Sequence, residues 1–109
     1  MLFCAGPVLA ITPEAREFLE ISSKLEPVQC EKRRLRREIV FAEVEKREAD
    51  AKDLRSRFGK LNNDPQTARL EKRLAVLERR ILDSKGVVRN PGDLEAISFQ
   101  HREAYYRCD

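Results

Sequence analysis

A chain of 109 residues, of which 38% are charged, 6% are aromatic and none is tryptophan, argues against a broad β-sandwich or an enzyme cleft walled by aromatic rings. Its 22 basic and 19 acidic side chains leave a formal net charge of +3, which is too small to imply attraction to a polyanion by net charge alone. Long helices with narrow apolar stripes suit this composition, so we predict an all-α protein built on an antiparallel, coiled-coil-like helical hairpin with short flanking helices.

Residues 1–12 are predicted to form an apolar N-terminal arm that precedes a single helical domain of residues 13–109. The first eleven residues carry no charged side chain. They are fewer than the ~20 residues that span a bilayer, and they lack the basic segment of a secretory signal. We expect the arm to pack on this chain or on a neighbouring one, with membrane contact as a weaker alternative. The arm residues predicted to contact a partner are Leu2, Phe3, Val8 and Leu9.

Two helices are expected next, with Pro27 between them either ending the first helix or bending the path of the chain. The Thr-Pro-Glu triplet at 12–14 supplies a capping side chain, a proline for the first helical position and an acid for the positive end of the helix, which predicts a short helix over 13–26. Residues 28–58 contain no Gly or Pro and are rich in Glu, Lys, Arg and Ala, so we predict one long helix there. Its main apolar stripe is thin in its second half.

The sequence GKLNNDP at 59–65 is the clearest break in the chain. Gly59 suits the left-handed conformation that closes a helix, and the Asp-Pro pair that ends the segment suits the start of the next one. The helix predicted over 65–85 has apolar residues at the spacing of a coiled coil, namely Leu70, Leu74, Leu77 and Ile81. Because the connection is short, we expect these two helices to be antiparallel neighbours in a hairpin of residues 28–85.

A last helix is predicted over about 93–107, after a turn at Asn-Pro-Gly. We expect one ring of the pair Tyr105 and Tyr106 to be buried and the other exposed. Tyr105 is the one predicted to contact a partner, because tyrosines commonly anchor protein interfaces.

A second apolar patch is formed by Val40, Phe41 and Val44, beside the main stripe of the long helix. The chain has many helical turns and few wide apolar faces with which to cover such a patch. We therefore predict that it is covered by another chain, either a different protein or a second copy.

The segment EKRRLRRE at 31–38 is expected to form a basic collar around its single leucine. Three readings stay open: an ion-paired or solvated helix face, a docking surface for an acidic protein, and contacts to RNA or DNA phosphates. The residues predicted to bind phosphate or acid are Lys32, Arg33, Arg34, Arg36, Arg37, Arg69, Arg73 and Arg80.

No pattern of catalytic or metal-binding residues is evident. Cys4, Cys30 and Cys108 are dispersed and odd in number, so we expect unpaired thiols in a reducing intracellular compartment, cytoplasm or organelle matrix, and no secretion. The single histidine, His101, is expected to be a packed or surface residue. No phosphate-binding loop, zinc motif or calcium loop occurs, so we expect no cofactor, no metal and no enzymatic activity.

These observations predict a non-enzymatic structural protein that docks through its helices in a larger protein assembly or a homo-oligomer. The alternative is an RNA- or DNA-binding helical hairpin, or a ribonucleoprotein subunit, that contacts phosphates through residues 32–37.

Overall fold

The computed structural model describes residues 10–108, and this part of the chain is helical apart from turns and an isolated antiparallel bridge between Leu82 and Val88. Its helices are α1 (Pro13–Val44), α2 (Glu48–Asn62), α3 (Pro65–Ile81) and α4 (Pro91–Arg107). The predicted all-α class is confirmed. Most of the predicted N-terminal arm, with its partner contacts at Leu2, Phe3, Val8 and Leu9, lies outside the described residues.

Helix α1 is a single helix of 32 residues that runs through Pro27, so the predicted separation into two helices at this proline is wrong. Thr12 caps its start by accepting a hydrogen bond from the Ala15 N–H at 3.1 Å. Proline inside a helix removes one backbone hydrogen bond and costs about 3 kcal/mol. Ile21 and Leu25 before Pro27 and Leu35 after it are all buried, and this packing on both sides holds the helix together across the proline.

The bend between α1 and α2 occurs at 45–47, where the sequence contains neither Gly nor Pro, so the expectation of one helix over 28–58 is also wrong. Lys46 adopts a left-handed conformation with φ 57°. The Lys46 N–H donates to the Glu43 carbonyl at 3.1 Å, and the Arg47 N–H donates to the Ala42 carbonyl at 2.8 Å. This pair of bonds is the Schellman ending of a helix, in which glycine usually takes the place of Lys46.

Replacing Lys46 by glycine is expected to raise the free energy of unfolding by about 1 kcal/mol, because the left-handed conformation costs a residue with a Cβ about 1–2 kcal/mol. Lys52→Gly is the matched control, since Lys52 is an exposed lysine inside α2. That change should lower the free energy of unfolding by about 1 kcal/mol. Urea denaturation measures both values, and a loss of stability in Lys46→Gly similar to that in the control would contradict the Schellman turn.

The helical hairpin has α1 as one arm and α2 followed by α3 as the other. Ala42 and Ala51 are both buried, and their small side chains allow α1 and α2 to approach closely. Helix α3 begins where predicted, with Asp64 capping the Thr67 N–H at 3.0 Å. Gly59, however, lies inside α2, so the prediction that it ends a helix is wrong. Helices α2 and α3 have few contacts with each other, because both pack mainly on α1.

The main core lies between α3 and the N-terminal half of α1, with α4 packed beside it. Its buried members are Ala15, Ile21, Leu25, Leu77 and Ile81. The predicted apolar stripe of α3 is confirmed, since Leu70 and Leu74 pack against this core together with Leu77 and Ile81. The whole described structure is elongated, with extents of 63 × 29 × 26 Å.

Candidate interaction surface

Helix α4 runs parallel to the N-terminal half of α1 and covers one of its faces. Gln100 donates to the Leu19 carbonyl at 2.9 Å and to the Ser23 hydroxyl at 3.0 Å. Arg107 forms an ion pair with Glu26 at 2.6 Å, which holds the pKa of Glu26 below its ordinary value. The residues of α1 that face α4 therefore follow a regular spacing of three and four.

A disulfide bond between Cys30 and Cys108 forms the last of these contacts, with the two Cα atoms 5.1 Å apart. The expectation of unpaired thiols is therefore wrong for these two residues, and the expectation of a reducing compartment loses its basis. The parallel register of α1 and α4 brings together two cysteines separated by 78 residues. The alignment of two helices that are distant in sequence leaves no local pattern from which it could be predicted. The predicted free thiol at Cys4 lies outside the described residues.

The face of α1 that α4 covers continues beyond the end of α4. Residues 19, 23, 26 and 30 contact α4, and continuing their four-three spacing leads to 33, 37, 40 and 44, on the same face of the helix. Helix α4 ends at Arg107; its Tyr105 ring lies against Arg33, whereas residues 37, 40 and 44 are exposed beyond it. We call this exposed continuation, together with the adjoining Phe41, the open stripe; its members are Arg33, Arg37, Val40, Phe41 and Val44.

The apolar members of the open stripe are among the most exposed hydrophobic side chains of the described residues. Val40 is 57% exposed, Phe41 62% and Val44 74%. The opposite face of the same helical segment is buried, since Leu35 and Ala42 pack inside the protein. The predicted patch at residues 40–44 is therefore uncovered by residues 10–108, and its predicted cover by another chain stays a prediction.

Charged groups lie at one end of the open stripe and along its side. At one end, Arg37 forms no ion pair within residues 10–108, and the Arg33 guanidinium lies over the Tyr105 ring at 5.5 Å from its centroid. Beside the open stripe, between α1 and α2, lies an acidic cleft in which carboxylates outnumber guanidinium groups. The cleft is lined by Glu38, Phe41, Glu45, Arg47, Asp50, Asp53, Leu54 and Arg57.

Ion pairs inside the acidic cleft neutralise only part of its charge. Arg47 pairs with Glu45 and with Asp50, each at 2.8 Å, and Arg57 pairs with Asp53 at 3.1 Å. Hydrogen bonds to Glu45 and Asp50 raise the pKa of Arg47 above its ordinary value. Glu48, at the start of α2, has no ion-pair partner in the described part of the chain, but it lines a separate cleft together with Lys46, Lys52 and Arg55.

The predicted basic collar is divided among different environments. Lys32 is buried, and its ammonium group donates to Asn62 and to Glu71, each at 3.1 Å, which joins α1 to the end of α2 and to α3. Lys32 therefore links helices inside the protein, and its ammonium group is not on the surface where phosphate or an acidic protein would bind. Arg34 pairs with Glu31 and Glu38 on its own helix.

The other predicted cations also lie apart. The Arg36 guanidinium packs over the Phe58 ring at 5.2 Å from its centroid. Arg73 is bound to Glu17 at 2.6 Å, which holds the pKa of Glu17 below its ordinary value. Arg69 and Arg80 are exposed on α3. Of the predicted set, only Arg33 and Arg37 lie together on the open stripe, so these residues do not form the continuous basic surface considered from the sequence.

The tyrosine pair at the end of α4 adjoins the open stripe. Tyr105 is 63% exposed and Tyr106 is 75% exposed, so the expectation that one ring is buried is wrong. The two rings pack edge to face with centroids 5.6 Å apart. Because the Tyr105 ring lies against Arg33, it extends the exposed surface of α1 toward α4.

A groove of ≈ 290 Å³ lies among α1, α3 and α4, and His101 is at its exposed edge. Its wall contains Phe18, Leu25, Leu74 and Ile97. Between residues 10 and 108, no three His, Cys, Asp or Glu side chains gather as metal ligands. Among the same residues, none of the helices is both long and apolar enough to traverse a bilayer.

Comparisons with protein-family models, with curated proteins and with solved structures found no match to this chain.

Proposed function

We propose that this chain is a non-enzymatic helical protein whose function is to dock on other protein subunits, or on a second copy of itself, through the open stripe of α1. The observation that carries the proposal is the half-covered face of α1. One helix presents a stripe of four-three spacing over residues 19–44; α4 covers the first half, and the described residues leave the second half exposed.

The two halves of this face differ in how much apolar surface stays exposed. Covering a Val or Phe side chain contributes about 1.5–3 kcal/mol when the side chain passes from fully exposed to buried. Val40, Phe41 and Val44 retain more than half of their exposure, so an added helix gains much of this free energy. Scattered exposed apolar residues need no partner, but these three are adjacent on one face of a rigid helix.

The exposed Arg37 beside the patch also supports docking on protein. Arg37 offers a guanidinium without an ion-pair partner in the described residues, and guanidinium groups bind carboxylates in a bidentate manner. Contact with nucleic acid stays a weaker prediction, because Lys32 is buried and Arg34 and Arg73 are bound to acids of the same chain.

The test is to isolate the tagged full-length chain, under native conditions, from the cells that make it. We expect an assembly of fixed stoichiometry, and we expect the variant Val40→Ser/Phe41→Ser/Val44→Ser to be isolated as single chains of 12.7 kDa with unchanged helical content. The variant Val87→Ser/Phe99→Ser is the matched control, because these side chains are each 56% exposed but lie off the open stripe. It should keep the assembly. A wild-type chain isolated as a monomer would overturn the proposal.

A further inference from the structure

We infer that the groove among α1, α3 and α4 binds a small anionic amphiphile, with an unbranched alkyl chain on its apolar walls and a carboxylate on the Arg33 guanidinium. The groove has a volume of ≈ 290 Å³, near the lower end of the ~300–1,000 Å³ that ligand pockets occupy. It lies beside the open stripe, and the inference does not depend on docking there.

The groove follows the line along which α1 and α4 pack in parallel. Several polar contacts between the two helices join residues 81 positions apart, and Leu74 of α3 adds a third wall. The lining residues of α1 extend from Phe18 to Arg33, about 22 Å at ~1.5 Å per residue. A volume of ≈ 290 Å³ spread along this length is a narrow passage, which suits a single alkyl chain better than a ring system.

The apolar walls of the groove are only partly covered by the protein itself. Leu25 is buried, whereas Phe18, Leu74 and Ile97 are half-buried. Ala104 of α4 adds a small side chain to the same lining. An alkyl chain in the groove removes further apolar surface from water, and each methylene that enters should tighten binding by up to about fourfold.

The charged groups of the groove favour an anion at the end that Arg33 lines. Arg33 is half-buried, its guanidinium lies over the Tyr105 ring at 5.5 Å from the centroid, and no carboxylate of residues 10–108 forms an ion pair with it. Glu26 also lines the groove, but Arg107 binds it at 2.6 Å. Guanidinium groups bind carboxylates through two parallel hydrogen bonds, so Arg33 can orient a ligand whose other end is apolar.

The remaining polar side chains of the groove compete little for such a ligand. Gln100 and Gln29 already donate their amide hydrogens, to α1 and to α3 respectively. His101 lies at the exposed edge. A mostly apolar lining with a few polar groups that fix orientation is the usual composition of a small-molecule site.

Isothermal titration calorimetry of the purified, oxidised full-length chain with sodium decanoate tests the inference. We expect saturable binding of one decanoate per chain. Octanoate and hexanoate should bind more weakly in that order, by up to about fourfold for each methylene removed. Octanoate should bind at least about tenfold more tightly than octanamide or octylamine, which have the same chain without the negative charge.

Two variants test the two halves of the site. Arg33→Gln should weaken octanoate binding at least about tenfold and leave octanamide binding unchanged. Arg37→Gln is its matched control, because Arg37 is exposed one turn further along α1 and is not part of the groove lining. Ala104→Trp should fill the groove and abolish the binding of both ligands, whereas Ala49→Trp, at an exposed position of α2, should bind like wild type. Circular dichroism checks the fold of each variant, and Arg33→Gln decides the question if Ala104→Trp does not fold.

Three outcomes would overturn the inference: no saturable binding of decanoate, Arg33→Gln that binds octanoate like wild type, or a folded Ala104→Trp that still binds. Backbone amide chemical shifts locate the ligand independently. Decanoate should shift the signals of Phe18, Leu74 and Ile97. Shifts confined to residues 40–44 would place the alkyl chain on the open stripe and would also overturn the inference.

Discussion

Removing the disulfide with the double variant Cys30→Ser/Cys108→Ser is expected to lower the free energy of unfolding by on the order of 4 kcal/mol. The bond joins residues separated by 78 positions, so in the unfolded chain it closes a long loop and removes much conformational freedom. In the folded protein it holds the last turn of α4 on α1. That turn is also held by the ion pair between Arg107 and Glu26 and by the Tyr105 ring against Arg33, but such partly exposed contacts contribute only about 1 kcal/mol or less each.

Urea denaturation with and without dithiothreitol measures this effect. Wild type should lose stability when reduced and approach the value of the double serine variant. The double variant itself should not respond to the reductant, which controls for effects of dithiothreitol elsewhere in the chain. Amide hydrogen exchange should show that the loss of protection is largest in the last two turns of α4 and smaller near Asp93. An oxidised wild type whose unfolding is unchanged by reductant would contradict the assigned bond.

Replacing Asp93 by alanine is expected to lower the free energy of unfolding by about 3 kcal/mol, since hydrogen bonds to a charged group contribute about 1.5–3 kcal/mol each and are only partly additive. The side chain of Asp93 is 1% exposed. One of its oxygens accepts from the Thr12 N–H at 2.9 Å and the other from the Thr12 hydroxyl at 2.8 Å. Alanine would leave both Thr12 donors without an acceptor.

The position of Asp93 makes the loss larger than for an ordinary surface carboxylate. It lies in the first turn of α4 and also contacts Thr12, the N-cap of α1. The N-terminal ends of both helices carry partial positive charge, so one carboxylate stabilises both. The start of α4 and the segment before α1 approach each other closely here. A Cβ on Gly92 would lie 2.3 Å from the Ala10 carbonyl oxygen.

Urea denaturation of a small series of variants separates these contributions. Asp93→Asn keeps the shape but removes the charge and one acceptor, so it should lose about half as much stability as Asp93→Ala. Thr12→Ala should also be destabilising, and the double variant Thr12→Ala/Asp93→Ala should lose less than the sum of the two single changes. Asp53→Ala is the control, because Asp53 is exposed and bound only to Arg57. Equal unfolding midpoints for Asp93→Ala and this control would show that the buried contact contributes nothing.

Together, the contacts of Asp93 and Cys108 fix α4 at both ends and so determine where the open stripe begins. Asp93 binds the start of α1, and the disulfide binds Cys30. Because α4 is fixed along α1, its end at Arg107 leaves Arg37, Val40 and Val44 of the same face exposed. The proposed docking surface therefore depends on where α4 is fixed as well as on the apolar residues of α1.

The amino-acid sequence by itself determined the starts of α1 and α3 and the exposed patch. Thr12-Pro13 and Asp64-Pro65 each begin a helix as predicted, because capping depends on a few consecutive residues. Helix α4 begins at Pro91, inside the segment predicted to be a turn. The apolar spacing of α3 likewise predicted its buried face. The patch at 40–44 was foreseen because it lies off the buried stripe of the same helix, a relation that helical periodicity alone defines.

Only the tertiary structure decided the path of the chain and the partners of its polar groups. Pro27 stays inside α1 because residues on both sides of it are buried. The bend at Lys46 has no sequence signal, and it allows Ala51 to pack beside the buried face of α1. The burial of Lys32 and the disulfide between Cys30 and Cys108 both join residues far apart in sequence. Local patterns record only the preferences of neighbouring residues, whereas these features follow from free energy gained when distant segments meet.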